Sequence, residues 1–240
     1  MHRKLFDLAR ANAGKGVTIR SEAAGDTTTV YVYDIIDAYW GVSANDFART
    51  LAAISTANIA LRINCPGGDV FEARAMMAAI AEHPATVTAK IDGLAASAAT
   101  ALTLACDSVE IVEGGFYMIH KAWTLGIGNA DDMRTSADLL DKVDGVLAAG
   151  YAKKTGQDLD AVLAAMTAET WYTAEEAVAA GYANSILQIG TSASASARAF
   201  NVAAYANAPK ALTETEQQPD WDAEAARRAA RARLYERVTG

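Results

Sequence analysis

Ile91-Asp92-Gly93-Leu94-Ala95-Ala96-Ser97-Ala98-Ala99-Thr100 carries an extended segment through a glycine into a run of small residues holding one hydroxyl. Residues 85–91 before it read as a β-strand, and 99–105 after it as a helix. A serine at a strand-to-helix junction stands with its oxygen exposed, while unpaired N–H groups of the first helical turn point toward it. That is how an acyl-transfer nucleophile is presented. The same small residues also suit a helix that packs closely, so Ser97 alone leaves two readings open.

The flanking sequence supplies strands and helices in alternation. Upstream, the β-branched and aromatic run 28–36 predicts a first strand, and Ser43 predicts an N-cap for a helix carrying Phe47, Leu51 and Ile54. The apolar run 58–64 predicts a buried parallel strand ending at Cys65-Pro66-Gly67-Gly68, followed by a helix over 70–82 that Pro84 stops. Downstream, 108–112 and 116–120 predict two short strands, and the segment from Trp123 to Asn129 looks extended. A long helix follows from Asp131, with Met133, Ala137, Leu140, Val143, Leu147 and Tyr151 on one stripe and Gly156 at its end. Residues 159–166 predict another helix, and Thr173 with Glu176 a capping box for a last one to Ala180. This order implies an α/β fold with a largely parallel core and chemistry at the strand C-terminal ends.

The chain has 240 residues, of which 52% are hydrophobic and 21% charged, so it can bury a full core. We divide it into an arm (1–27), a main domain (28–190), and a Ser/Ala-rich linker with a basic helical tail (191–240). For the tail, with Arg227, Arg228, Arg231, Arg233 and Arg237, a solvated helix is preferred over a docking segment for an acidic partner. A net charge of −8 disfavours nucleic-acid binding by the main body. No apolar run spans a membrane and the first ten residues do not form a secretory signal, so a soluble cytoplasmic protein is expected. The two cysteines, Cys65 and Cys106, fit neither a disulfide framework nor a zinc cluster, and no cofactor or metal is called for.

Three histidines make the search for a base short. His2 lies in the arm and His83 precedes a proline at a helix end, whereas His120 ends an apolar strand where a ring can reach neighbouring strand ends. A serine nucleophile needs such a base, and the base needs a carboxylate to hold its tautomer. Candidates are Asp131, Asp132, Asp138, Asp141, Asp144, Asp158, Asp160 and Glu169. Glu169, at a break between helices and before Trp171-Tyr172, is placed best for a buried role. Gly67-Gly68 lacks side chains, so its amides can approach a substrate carbonyl; an ordinary tight turn is the alternative. The N–H of Ala98 is the natural second donor.

Four stretches in this order, Ile63 through Gly68, Asp92 through Ser97, Met118-Ile119-His120, and Thr155-Gly156-Gln157 with Ala174-Glu175-Glu176-Ala177 and Gly181, resemble the ClpP serine protease family over about 28–189. Trp40-Gly41-Val42-Ser43-Ala44, Trp123-Thr124 and Gly128-Asn129-Ala130-Asp131 are most similar to phage and prophage ClpP-like enzymes described as head maturation proteases. The resemblance implies a ClpP/crotonase-type spiral of βαβ units, with a long protruding helix after the histidine. It implies Ser97 as nucleophile, His120 as base, and Gly68 with Ala98 as oxyanion donors. Glu169 stands where the family usually has Asp, and Cys65 where it usually has Ser. An extended substrate would lie as an added strand between Gly67-Gly68-Asp69-Val70 and Leu125-Gly126-Ile127.

The expected activity is a serine endopeptidase, ATP-independent in itself, assembled as a homo-oligomer in heptameric rings or a stacked double ring. The implied substrates are capsid or scaffold proteins, in the host cytoplasm or within the prohead. The region before Thr28 does not match the segment with which housekeeping ClpP engages its unfoldase. Rival readings are a crotonase-type acyl-CoA enzyme, a non-catalytic capsid assembly scaffold, and a Ser-Lys protease using Lys121.

Overall fold

The structure is a computed structural model, and it describes residues 19–124, 126–188, 200 and 202–213. Its centre is a pair of parallel strands, β3 (Asn58–Cys65) and β4 (Thr86–Ala96), preceded by β1 (Arg20–Ala24) and β2 (Thr27–Val32). After β4 come β5 (Ser108–Val112), β6 (Phe116–Ile119), β7 (Thr170–Thr173) and β8 (Ser185–Leu187). They form an eight-stranded sheet in the order β1-β2-β3-β4-β5-β8, with β6 branching from β4 and carrying β7. Pairing is parallel except for β1 on β2 and β7 on β6. The helices are α1 (Ala44–Ala52), α2 (Val70–Glu82), α3 (Ala98–Thr103), α4 (Ala130–Thr155), α5 (Leu159–Thr167), α6 (Ala174–Ala179) and α7 (Lys210–Thr213).

Alternation along β3 buries Ile59, Leu61 and Ile63, and along β4 Val87, Ala89 and Ile91, while α1 adds Phe47 and Leu51. Ser43 caps α1 through Asp46 N–H, and the Thr173–Glu176 capping box starts α6. Burial of the α1 leucine makes Leu51→Ala worth about 2–5 kcal/mol of stability.

The central strand runs further than its sequence suggests. At Ile91 it pairs with β5, but from Leu94 to Ala96 it pairs with β6. The register against β3 shifts between Ile63 and Cys65, so Gly93 lies in a bulge rather than at a strand end. A Cβ on Gly93 would stand 3.0 Å from Asn64 Oδ1, so a larger residue would press on that side chain. The bend carries the strand to the residue before Ser97.

Two other regions differ from expectation. The expected arm contains β1, folded onto β2 through a turn in which Gly25 has φ 63°; residues 1–18 lie outside the described set. The expected linker is packed over its middle: Phe200, Val202, Ala204 and Tyr205 are buried against Leu94, Ala96 and Met118. These apolar residues interrupt the Ser/Ala-rich run and form a second small core. Residues 191–199 and the expected basic helix over 220–238 lie outside the described residues.

The first part of α4 is mostly exposed, whereas Asp144, Leu147, Ala148 and Tyr151 anchor its second part. With 26 residues it is roughly 40 Å long, the protruding helix expected after His120. Among the described residues no helix is long and apolar enough to cross a membrane.

Candidate active site

Ser97 sits between β4 and α3 with φ 54° and ψ −126°. Such backbone costs a non-glycine residue about 1–3 kcal/mol and persists only where the surroundings impose it. Here the Ser97 N–H donates to Met118 O at 2.9 Å on β6, and its carbonyl accepts from Thr100 N–H at 3.0 Å. Met118 is two residues before His120, so the bond that fixes the turn also fixes the distance to the histidine.

His120 follows β6, and its Nε2 lies 2.7 Å from Ser97 Oγ. For the serine hydroxyl to donate, Nε2 must be unprotonated and the ring proton must reside on Nδ1. The half-buried ring lies edge-on to Trp123 at 5.1 Å and to Tyr205 at 5.3 Å. Burial pushes its pKa down from 6.5 to about 4, with the nearby Glu169 charge opposing the shift. The imidazole is therefore neutral at pH 7, the form a general base requires.

The segment after His120 is clamped to α4. Ala122 N–H donates to Asp144 Oδ1 at 2.7 Å, and Lys121 Nζ stands 3.8 Å from the other carboxylate oxygen. Burial raises the Asp144 pKa, against the pull of the Ala122 amide and Lys121. Lys121 is thus committed to Asp144, which weakens the Ser-Lys alternative.

Gly67 and Gly68 lie beside the serine. Ile36 N–H donates to Gly67 O and Asp69 N–H to Ile36 O, both at 2.8 Å. Gly68 has φ 142°, and a Cβ there would sit 2.0 Å from Ile36 O, so no other residue fits this backbone. Ala98 is the first residue of α3, where an N–H has no intrahelical acceptor. Gly68, Ala98, Ser97 and His120 all line one cleft of about 410 Å³. Asp69 and Val70 line it too, with the Asp69 carboxylate capping α2 through Phe71 and Glu72 N–H. On the other side Gly126 packs toward Met133 and Ile127 is exposed, and neither lines the cleft; Leu125 lies outside the described residues. Cys65 is fully buried and its thiol is pushed up to about 12, so it is not a competing nucleophile.

Glu169 has φ 50°, and it and Ser97 are the two non-glycine residues of positive φ among those described. It follows the C-cap of α5, a place where glycine or asparagine is usual. Its carboxylate accepts from Asn207 N–H at 2.6 Å and Ala206 N–H at 2.9 Å, with Trp171 Nε1 at 3.4 Å. No hydrogen bond joins it to His120, although its charge acts on that ring. Thus serine, histidine and both amide positions converge, and the carboxylate stands alongside, turned to the tail.

Two participants escaped the sequence reading. Asp144 was one of many helix carboxylates, but it falls on the apolar stripe between Leu140 and Leu147, and a charge on such a stripe signals a buried role. Tyr205 was hidden in the expected linker, where an aromatic residue among Ser and Ala was the only sign.

A strained serine at a strand-to-helix turn, bonded to a histidine from the neighbouring strand, is the arrangement of serine hydrolases. The model of the family described as Clp protease matches residues 27–190, and this chain belongs to that family. The ATP-dependent Clp protease proteolytic subunit 1 of Protochlamydia amoebophila (strain UWE25) is 28% identical over 170 residues, which are 68% of this chain and 81% of that protein. Among solved structures, a ClpP1 mutant from Listeria monocytogenes matches with a TM-score of 0.59 at 23% identity, covering 67% of this chain and 91% of that one. The α/β architecture is therefore the ClpP-type fold.

Proposed function

We propose that this chain is a serine endopeptidase acting through an acyl-enzyme at Ser97. The observation that carries the reading is the 2.7 Å approach of His120 Nε2 to the oxygen of a serine held at φ 54°. Ser97 Oγ attacks the scissile carbonyl as His120 takes its proton, and the amides of Gly68 and Ala98 receive the oxyanion. His120 returns the proton to the leaving amine; water, deprotonated by the same ring, releases the acyl group. Glu169 accepts from Nδ1–H of His120 in the working state and steadies the imidazolium. Every step uses this chain's own side chains and water, with no cofactor.

The family membership supports a ring-shaped homo-oligomer acting on protein substrates, heptameric or stacked in two layers. Exposed Leu139 and Val146 on α4 supply apolar contact surface for neighbouring copies. The phage-type sequence features support capsid or scaffold proteins as substrates, in the host cytoplasm or the prohead, without an obligatory unfoldase.

Reaction with a fluorophosphonate, followed by digestion and mass mapping, tests the centre of the proposal. The adduct is expected on Ser97 and absent from Ser97→Ala; an adduct on another residue overturns it. Thioester turnover without any adduct would instead select the acyl-CoA reading. Co-expression with candidate capsid and scaffold proteins tests the substrate class, cleavage being expected with the parent and not with Ser97→Ala.

A further inference from the structure

Tyr205 is 3% exposed and lines the active-site cleft. Its ring stacks on Trp123 at 5.4 Å with an interplanar angle of 6°, and meets His120 and Trp171 edge-on at 5.3 and 5.8 Å. Its hydroxyl donates to Pro66 O, in the turn that leads to Gly67-Gly68. A Cβ built on Gly67 would lie 2.8 Å from Ser97 Cβ and 3.2 Å from Tyr205 Oη, so the phenol stands at the glycine turn, beside the nucleophile. A substrate carbonyl approaching Ser97 would meet the phenol there.

The two residues that follow hold the other end of the site. Ala206 and Asn207 present their N–H groups to the Glu169 carboxylate, and Asn207 Nδ2 donates to Ala168 O at 2.7 Å. The Glu169 carboxylate is thus aimed at these two amides, one on each oxygen, and makes no hydrogen bond to Nδ1–H of His120.

We propose that residues 202–207 are an intramolecular occupant of the active-site cleft that holds the enzyme latent. Tyr205 packs edge-on against His120 and narrows the approach to Ser97, and the amides of Ala206 and Asn207 hold Glu169 in an orientation without a hydrogen bond to the ring it would orient. The segment offers a phenol rather than a carbonyl carbon to Ser97, so it blocks without being cut. Being part of the same chain, it acts at an effective concentration on the order of millimolar, and modest contacts keep it docked. Displacement would open the cleft and free Glu169 in one event. This inference rests on the protease reading, since latency has meaning only for a reactive Ser97.

The test uses the full chain and compares it with Tyr205→Ala. Fluorophosphonate labelling of Ser97 should accelerate by about tenfold or more, because the rate scales with the open fraction. A peptide spanning residues 200–213, added in excess, should slow labelling of Tyr205→Ala again. Asn207→Ala, which removes a surface hydrogen bond and leaves the small core intact, should give a smaller acceleration and covers the case in which Tyr205→Ala fails to fold. Equal labelling rates in the parent and both variants would overturn the proposal. Docking is read separately by hydrogen exchange at the Ala206 and Asn207 amides: protection in the parent and its loss in Tyr205→Ala are expected, and fast exchange in the parent overturns occupancy. Absence of labelling in every form would instead overturn the assignment of Ser97, and the latency with it, whatever the exchange shows.

Discussion

Ser97 and Glu169 share a positive φ that side-chain-bearing residues seldom adopt, yet one is hydrogen-bonded to His120 and the other is not. Around Ser97 the strain is imposed by the sheet: β4 bends onto β6, Met118 O takes the serine N–H, and the same strand delivers the histidine. Around Glu169 the strained turn aims a carboxylate that then finds two amides from a segment far along the chain. The Ser97–His120 pair is thus built into the sheet, whereas the Glu169 carboxylate is engaged by the segment packed beside it. The difference teaches that neighbouring residues of matching chemistry are coupled or kept apart by what packs against them.

The largest way to break this comparison is Ser97→Ala, expected to lower peptide hydrolysis by about 10⁴-fold or more in steady-state assays, with the fold kept by circular dichroism. Gly68→Ala attacks the same half through the backbone, since the new Cβ meets Ile36 O. It should lower stability by about 3 kcal/mol, read as a reduced thermal midpoint, and remove most activity.

Glu169→Gln should split the two roles of that residue. In the intact chain, weaker anchoring of Ala206 and Asn207 speeds labelling, whereas in the Tyr205→Ala background the loss of the orienting charge lowers kcat by about tenfold to a hundredfold. The pH profile sharpens this. The Glu169 charge raises the His120 pKa, so its removal should shift the acid limb of kcat/KM to lower pH.

Docking itself should respond to pH. With the segment in place His120 is held at about 4, whereas an uncovered ring titrates nearer its ordinary 6.5. The open form therefore binds the extra proton as pH falls through this window, and docking is full above 6.5 and weakens toward 4. Amide exchange of residues 206 and 207 between pH 7 and 4 checks the sign. The smallest effect belongs to Asp144→Ala, which unties Ala122 from α4 and should cost about 1–3 kcal/mol of stability while leaving Ser97 labelled.

Much of the sheet was legible because its strands carry local signals: β-branched alternation, glycine and proline stops, and capping residues. Residues 58–64 and 108–112 read as strands for that reason, and α2 over 70–82 was bounded by Gly67-Gly68 before it and Pro84 after it. The end of β4 was not, because Gly93 and the small residues after it look like a stop when the new partner, β6, is unseen. β7 was missed for a similar reason, its four residues gaining strand structure only by pairing with β6.

The sequence by itself determined the α/β class and the family, and it singled out the serine, the histidine and the glycine turn that the fold brings to one cleft, since these rest on short-range patterns and ordered motifs. Tertiary structure alone decided that Asp144 is buried as a clamp, that Tyr205 lines the cleft, and that Glu169 faces amides from the tail rather than His120. These are contacts between residues 22 to 82 positions apart, made by burial and hydrogen bonding across elements, as in the Ala122–Asp144 bond and the stacking of Trp123 on Tyr205. Periodicity along the chain reports which face of an element is apolar; which distant group comes to cover that face is settled only when the elements pack.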